Sequence, residues 1–341
     1  MNNIFLTVDT ECHDIKKENQ YIWGNKNGRE YGIGRILELS KQYGIPVNFF
    51  VDFAEERRYG RKYIQRIIDK IKQYDQPIFL HLHPNFISGD ENRTFLWEYN
   101  KNEQKVILQE GIEIYKDIMG KIPAAFRAGR YGINKDTYDL INELMPDIVE
   151  LSYIGSYNKM CHVERELINT INHYSKYKSL KIMPNSTYVA FDLFGKRKTV
   201  GVDTSEMSLI EFQEFLKKAG GKDFVLTMHS WNFIDRYFWS KTHVCSHRTN
   251  ERLFKGMVNL AKKKGYTFAS IEGYDFEVGG ANSDIEYNAC DTIVKKIRSL
   301  FLNFWRFQQM AKISKKYLII YSAFYFCLII AVIGIGIKIF F

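Results

Sequence analysis

Short apolar runs with strand propensity alternate with helical patterns along most of the chain, and this alternation constrains the fold more than any other feature. Each run is followed by a segment with helical periodicity or by a turn. The clearest runs are Ile4–Val8, Val47–Val51, Ile78–Leu82, Ala124–Arg127, Ile148–Leu151, Phe224–Met228 and Thr267–Ser270. Such alternation is typical of parallel βα units. About seven or eight strands with interleaved helices predict a complete or distorted βα barrel.

Acidic, imidazole and guanidinium side chains stand where several of these strands end. They are Asp9 and Glu11 after the first run, His81 and His83 at the third, Arg127 at the fourth, and His229 after the run ending at Met228. In α/β barrels the functional residues come from the carboxyl ends of the strands, so all six are expected on one rim. Each residue taken singly also fits an ordinary structural role. The collection favours a site.

Two imidazoles and a carboxylate are a sufficient ligand set for a divalent transition metal. Asp9 and Glu11 share a face of an extended segment, as do His81 and His83. One acid is then spare and can act as a general base, which Arg127 would hold ionised. The chemistry that uses the whole set, with a histidine to protonate a leaving amine, is metal-assisted hydrolysis of an amide.

The motifs LTVDTE, YGIPVNFFVD, LHLHPN, FRAGRYG and VLTMHSW occur in this order between Ile4 and Glu272. Together they resemble the NodB-homology polysaccharide deacetylases, carbohydrate esterase family 4. The resemblance implies a distorted (β/α)7-type barrel that removes N-acetyl groups from amino sugars. It also implies a divalent metal, zinc first with cobalt or nickel as alternatives. Carried over, Asp9 is the catalytic base, Arg127 orients it and His229 is the general acid, while Glu11, His81 and His83 bind the metal.

The chain departs from the family's pattern at three places. Thr10 separates two acids that are usually both Asp and often adjacent, the two histidines are two residues apart rather than four, and Ala128-Gly129 replaces a Pro-Pro pair. Whether Asp9 also touches the metal stays open. Two other functions stay open as well: hydrolysis of another C–N bond, in a formamide or ureide, and a catalytically lapsed, membrane-tethered binding module, which the departures support.

The C-terminal part of the chain indicates a membrane anchor. From Tyr317 to Ile337, 21 residues carry no charge, and at about 1.5 Å per residue they span roughly the 30 Å hydrocarbon core. The alternative is a buried core helix. Seven Lys or Arg against one acid in residues 288–316 place the preceding chain in the cytoplasm by the positive-inside rule. With no signal peptide before the first strand, the expected location is the cytoplasmic face of the inner membrane, with a single-pass C-terminal anchor.

A basic amphipathic helix is predicted immediately before this span. Its apolar face consists of Ile293, Ile297, Leu300, Phe301, Phe304 and Ala311. Such a helix is expected to lie on anionic membrane lipids, and the alternative is a helix packed on the barrel. The predicted organisation is a deacetylase barrel at 1–280, a juxtamembrane segment at 281–316 and a transmembrane anchor at 317–341.

The anchor and the charge narrow the expected partners. A catalytic domain at the inner leaflet reaches acetamido sugars on a lipid or nucleotide carrier, which predicts a role in surface polysaccharide or lipopolysaccharide biosynthesis. The net charge of +9 falls largely beside the apolar span. Nucleic acid is therefore not an expected partner.

Overall fold

The computed structural model describes residues 2–155, 159–168, 170–193, 195–237, 244–275, 286–320 and 322–323. The α-helices there are α1 (Ile33–Tyr43), α2 (Glu56–Tyr59), α3 (Arg61–Lys72), α4 (Pro84–Ser88), α5 (Lys101–Met119), α6 (Lys135–Leu144), α7 (Arg165–Ile168), α8 (Leu209–Ala219), α9 (Arg248–Lys263) and α10 (Ile293–Ile313). The strands are β1 (Asn3–Thr10), β2 (Asn48–Asp52), β3 (Ile78–Leu82), β4 (Ala125–Ala128), β5 (Val149–Glu150), β6 (Ser175–Tyr177), β7 (Leu180–Ile182), β8 (Thr187–Leu193), β9 (Lys196–Gly201), β10 (Phe224–His229), β11 (Ile234–Asp235), β12 (Cys245–Ser246), β13 (Thr267–Phe268) and β14 (Tyr287–Asn288).

One mixed sheet, curled into a half-barrel, forms the centre of the fold. Its order is β10-β1-β2-β3-β4-β5-β7-β6, and β13 also pairs with β1. All of these pairs are parallel except β6 with β7, which is antiparallel. The prediction of a (β/α)7-type barrel is therefore corrected to a mixed α/β fold with an open sheet. The antiparallel β6 ends the sheet on one side, and β8, β9 and β14 form a separate three-stranded sheet in place of a further βα unit.

Both faces of the central strands are buried, as expected for a largely parallel sheet covered by helices. Every residue of β1 is buried. Ile4, Leu6 and Val8 belong to the large apolar cluster that includes residues of the helices. Phe5 faces the other way, into a smaller cluster with Phe50, Phe79, Val225 and others. This aromatic cluster fills the inside of the curled sheet below the carboxyl ends of the strands.

Helix α10 is held on the body by a buried arginine. Nη2 of Arg306 donates hydrogen bonds to both carboxylate oxygens of Glu211 at 2.5 Å and to the Tyr188 hydroxyl at 3.0 Å. Arg306 is only 6% exposed. This is the packed arrangement that the sequence left as the alternative. The apolar side chains of Ile293 and Phe301 on the same helix are 65% and 70% exposed.

We expect Arg306→Met to lower the free energy of unfolding by about 3 kcal/mol, because it leaves the buried Glu211 carboxylate without its charged partner. The control is Lys296→Met on the same helix. Lys296 lies 3.6 Å from Asp192 in a pair that is about one-third exposed, so its loss costs less than about 1 kcal/mol. Urea unfolding followed by circular dichroism measures both variants. Equal decreases in the free energy of unfolding for the two variants would show that Arg306 does not stabilise the packing of α10.

The prediction of a C-terminal transmembrane helix is wrong for the part of the chain that the structure describes, where no helix is long and apolar enough to cross a membrane. The 21-residue α10 carries five basic side chains, too many for a span. The predicted single-pass anchoring at the cytoplasmic face of the inner membrane is wrong with it. Of the predicted span 317–341, residues 321 and 324–341 lie outside the described residues.

The predicted boundary between residues 280 and 281 falls within 276–285, which also lies outside the described residues. The division into 1–280, 281–316 and 317–341 stays a prediction.

Candidate active site

The parallel strands bring four of the predicted site residues to the same edge of the sheet, in two pairs. Asp9 at the end of β1 is in register with His229 at the end of β10. His81 on β3 is in register with Arg127 on β4. Parallel strands present their carboxyl ends at the same edge, so these side chains share one rim.

Glu11, which follows β1, lies against two imidazole rings. Its Oε2 is 2.5 Å from Nε2 of His83 and 3.4 Å from Nε2 of His81. The donor atoms of these three residues lie within 4.8 Å of one another. The residues are 5%, 3% and 2% exposed, respectively. One carboxylate and two imidazoles converging on a buried point form a candidate metal centre.

The hydrogen bonds around this cluster suit a metal ligand set. Nδ1 of His81 lies 2.9 Å from the carbonyl oxygen of Arg127. A carbonyl only accepts, so Nδ1 donates to it, and Nε2, on the side of Glu11, is the nitrogen that would bind a metal once its proton is lost. Oε2 of Glu11 is buried and has no hydrogen-bond partner of acceptable geometry among the described residues, despite its nearness to His83. Two nitrogen donors and one oxygen donor therefore fit a divalent transition metal such as zinc.

The charges of the cluster are strongly coupled. Burial acts to raise the pKa of Glu11, but the positive charge that His83 and His81 can carry outweighs it and holds this pKa well below its usual value. Burial likewise opposes protonation of His81, yet contact with Glu11 and the charge of Asp9 raise its pKa to about 9. Metal ligands must be deprotonated, so a divalent ion would take the place of the proton shared by these groups.

Asp9 is fixed by a fully buried arginine. Nη1 of Arg127 donates to Oδ1 of Asp9 at 2.5 Å. Nη2 of Arg127 donates to Oγ1 of Thr7 at 3.1 Å and to Oδ1 of Asn185 at 3.0 Å. The guanidinium carbon lies 4.5 Å from the centroid of the Phe50 ring. Arg127, fixed by these contacts, holds Oδ1 of Asp9 in place. The second oxygen, Oδ2, is not used by this ion pair and can accept a proton.

His229 occupies the more open side of the centre. Its side chain is 33% exposed, and its Nε2 is 4.0 Å from Oε1 of Glu11. The ring stacks on Trp231 at a centroid distance of 4.6 Å. A partly exposed imidazole, stacked in place beside the carboxylate, can exchange a proton with a substrate group that reaches the centre.

The sequence reasoning missed His13, which continues the alternate spacing of Asp9 and Glu11. Nε2 of His13 is 3.5 Å from Oε1 of Glu11. Its ring lies 5.8 Å from the ring of His83 and 5.8 Å from that of Trp231. Burial lowers the pKa of His13 below the usual value. The signal was present in the sequence, because the residues at positions 9, 11 and 13 share one face of an extended segment.

Two buried acids behind the centre were also missed. Asp52, at the end of β2, is in register with His81, and burial raises its pKa to about 6. Its Oδ2 has no hydrogen-bond partner among the described residues. Glu55 accepts hydrogen bonds from the Cys12 amide and the Tyr63 hydroxyl, and burial raises its pKa well above the usual value. The NFFVD run ends in Asp52, and this was the available signal.

Gly129 explains one departure of the FRAGRYG motif. A Cβ atom at this position would lie 2.5 Å from the ring of His83. Any larger residue would therefore push against a candidate metal ligand. The glycine allows the segment after β4 to pass directly behind that imidazole.

Solved structures with a similar course of the chain include polysaccharide deacetylases. A protein from Mycobacterium smegmatis assigned as one is 14% identical, with a TM-score of 0.46, over 82% of this chain and 87% of that chain. The chitin deacetylase of Colletotrichum lindemuthianum is 13% identical, with a TM-score of 0.42, over 79% and 85% of the two chains. A carbohydrate esterase family 4 pseudoenzyme from Bacillus anthracis is 14% identical, with a TM-score of 0.40, over 78% of this chain and 63% of that chain.

The chain is thus similar in fold to carbohydrate esterase family 4 deacetylases, the family that the motifs resemble. Neither a protein-family model nor a curated protein matches the sequence.

Proposed function

We propose that the protein is a metal-dependent N-deacetylase, a hydrolase that removes the acetyl group from an acetamido sugar. The observation that carries the proposal is the placement of a buried Glu11-His81-His83 cluster beside a second carboxylate, Asp9, held by Arg127. A purely structural ion pair with Arg127 would account for Asp9 but not for the second buried carboxylate, Glu11, beside the two histidines. A ligand set with a separate acid and a partly exposed histidine matches the needs of amide hydrolysis.

In this proposal each residue has one task. Glu11, His81 and His83 would hold the divalent metal, which would supply Lewis-acid polarisation of the acetamide carbonyl and a lowered pKa of water. Asp9, oriented through Oδ1 by Arg127, accepts the proton of the attacking water on Oδ2. His229 gives a proton to the nitrogen of the leaving amine. The sum is acetamide plus water to amine plus acetate.

The carrier of the sugar belongs to the proposal as well. Lipid-linked and nucleotide-linked acetamido sugars, as used in surface polysaccharide or lipopolysaccharide biosynthesis, are the substrates to assay first. Association with anionic lipids also stays a prediction, which comes from the basic composition of residues 288–316.

The test is acetate release by the purified full-length chain after loading with zinc, cobalt or nickel. We expect acetate in stoichiometric amount with the free amino sugar, and loss of the reaction when a chelator removes the metal. The substrates are lipid-linked, nucleotide-linked and oligomeric acetamido sugars, assayed in parallel. The chelated protein reloaded with metal is the control for irreversible damage.

The outcomes separate the alternatives. Formate or ammonia in place of acetate would assign the site to a formamide or a ureide. No product from any substrate with any of the three metals would contradict the proposal. Metal binding of the same preparation then distinguishes an enzyme with an untried substrate class from a lapsed module, because a lapsed module need not bind metal stoichiometrically.

A further inference from the structure

Arg236 is a cation with no carboxylate partner among the residues that the structure describes. Its guanidinium carbon lies 4.6 Å from the centroid of the Trp231 ring and 5.0 Å from that of Tyr21. These two rings meet edge to face at 5.1 Å, so they form one aromatic support. In the described part of the chain, Arg236 makes no hydrogen bond and no ion pair.

The aromatic support is part of the wall of the candidate active site. Trp231 stacks on His229, and its ring lies 5.8 Å from that of His13, which approaches Glu11. Arg236 is therefore one ring away from the proposed general acid. The charge of Glu11 acts on Arg236 directly. The guanidinium thus stands beside the place where the substrate would lie.

Two fully or almost fully buried arginines of the fold are each paired with a carboxylate. Arg127 is paired with Asp9 and Arg306 with Glu211. Around Arg236 the surroundings oppose the charge instead, and burial lowers its pKa to about 10. A guanidinium that contacts aromatic rings and has no carboxylate partner among the described residues can donate its hydrogen bonds to a planar or tetrahedral anion.

We propose that Arg236 binds an anionic group of the substrate, a carboxylate or a phosphate, and so makes the enzyme selective for negatively charged acetamido sugars. The inference rests on the proposed function for the site but concerns recognition. The anion has two possible sources: the sugar itself, as a sugar acid or sugar phosphate, or the phosphate of the carrier. Both present the same oxygen atoms to the guanidinium.

The test compares matched ligands by isothermal titration calorimetry on the zinc-loaded full-length chain. They are the methyl glycoside of N-acetylglucosamine, its phosphate ester at the primary hydroxyl, the corresponding uronic acid, and UDP-N-acetylglucosamine. Titrations use the Asp9→Asn background so that no turnover disturbs the heat signal. We expect at least one anionic ligand to bind about 10- to 100-fold more tightly than the neutral glycoside.

The variants are Arg236→Gln and Arg236→Lys, with Arg252→Gln as control. Arg252 is an exposed arginine on α9 that has no ion pair among the described residues. Arg236→Gln removes the preference for the anion and changes binding of the neutral glycoside less than about 2-fold, while Arg236→Lys keeps part of the preference because the charge remains. Arg252→Gln changes nothing.

The ligand whose affinity falls in Arg236→Gln identifies the source of the anion. A fall for the phosphate ester or the uronic acid indicates the sugar, and a fall for UDP-N-acetylglucosamine alone indicates the carrier. Equal binding of neutral and anionic ligands, or an anionic preference that survives Arg236→Gln, would overturn the inference. A preference that depends on Arg236, in a protein that releases no acetate from any ligand, would uphold it while the proposed function fails. Thermal unfolding of each variant checks that loss of the arginine has not disturbed Trp231 and Tyr21.

Discussion

We expect Asp9→Asn to lower the rate of acetate release by about 10²- to 10⁴-fold, the usual contribution of a positioned general base. Asparagine has nearly the same shape and can still accept the hydrogen bond that Arg127 donates to Oδ1 at 2.5 Å. It cannot take a proton from water. Arg127 keeps its contacts with Thr7 and Asn185, so the variant is expected to fold. The measurement is the rate under saturating substrate with zinc loaded.

The metal content of this variant separates two roles for Asp9. A base that does not touch the metal leaves zinc stoichiometry and affinity unchanged, whereas a ligand lowers both. Asp223→Asn is the matched control, because Asp223 precedes β10 at the opposite end of the sheet and accepts hydrogen bonds from Asn3 and Tyr274. It should change stability without changing the rate. A rate for Asp9→Asn within about 3-fold of the wild type would exclude a general base at this position.

Secondary structure could be predicted closely where the periodicity is strong and a stop signal follows. Helical periodicity predicts helices at Ile33–Tyr43 and Lys135–Leu144, and α1 and α6 have these bounds, as β3 has those of the predicted run. Gly44, with a φ of 58°, ends α1 in the left-handed conformation that glycine favours. Closure of the sheet could not be predicted in this way. It depends on which distant segments pair, and the short, partly exposed β6 carries little pattern of its own.

Helix α10 shows the limit of pattern reasoning in another form. Periodicity identified an amphipathic helix but not the face that packs. The largest of its buried side chains is a basic one, Arg306, because Glu211 and Tyr188 on the body accept its hydrogen bonds. Those partners are about 100 residues away in sequence. No local feature distinguishes this arginine from the other basic residues of the helix, which are only partly buried.

The grouping of the six predicted site residues follows from short-range rules. Alternate residues of a strand share a face, and parallel strands end at one edge, so the motifs had to meet if the strands were assigned correctly. Asp52 and Trp231 lie in the motifs NFFVD and HSW, but the sequence did not indicate their positions in the site. Those positions depend on tertiary contacts, with the neighbouring strand for Asp52 and with His229 for Trp231. The sequence gave no indication that Arg236 belongs to the site. Its interest comes from having no ion-pair partner among the described residues, which only the structure can show.

The second large effect is expected from Glu11→Gln, which should weaken zinc binding by more than about 100-fold. Loss of a residue that merely supports a ligand costs about 10- to 100-fold in metal affinity, and loss of a charged ligand costs more. The variant also removes the carboxylate that raises the pKa of His81. The measurement is competition between the protein and a chromogenic chelator, with the visible spectrum of the cobalt form as a second readout of the ligand set.

Glu55→Gln provides the matched control for this substitution. Glu55 is also buried, at 1% exposure. Its carboxylate accepts hydrogen bonds from the Cys12 amide and the Tyr63 hydroxyl and, within the part of the chain that the structure describes, makes no hydrogen bond or ion pair with His81 or His83. Because burial raises its pKa well above the usual value, an uncharged glutamine resembles the state that it already favours, and zinc affinity should stay within about 3-fold. If Glu11→Gln also retained zinc with an unchanged cobalt spectrum, Glu11 would not be a ligand. The oxygen donor would then have to come from Asp9 or Asp52, the two other carboxylates whose charges act on His81.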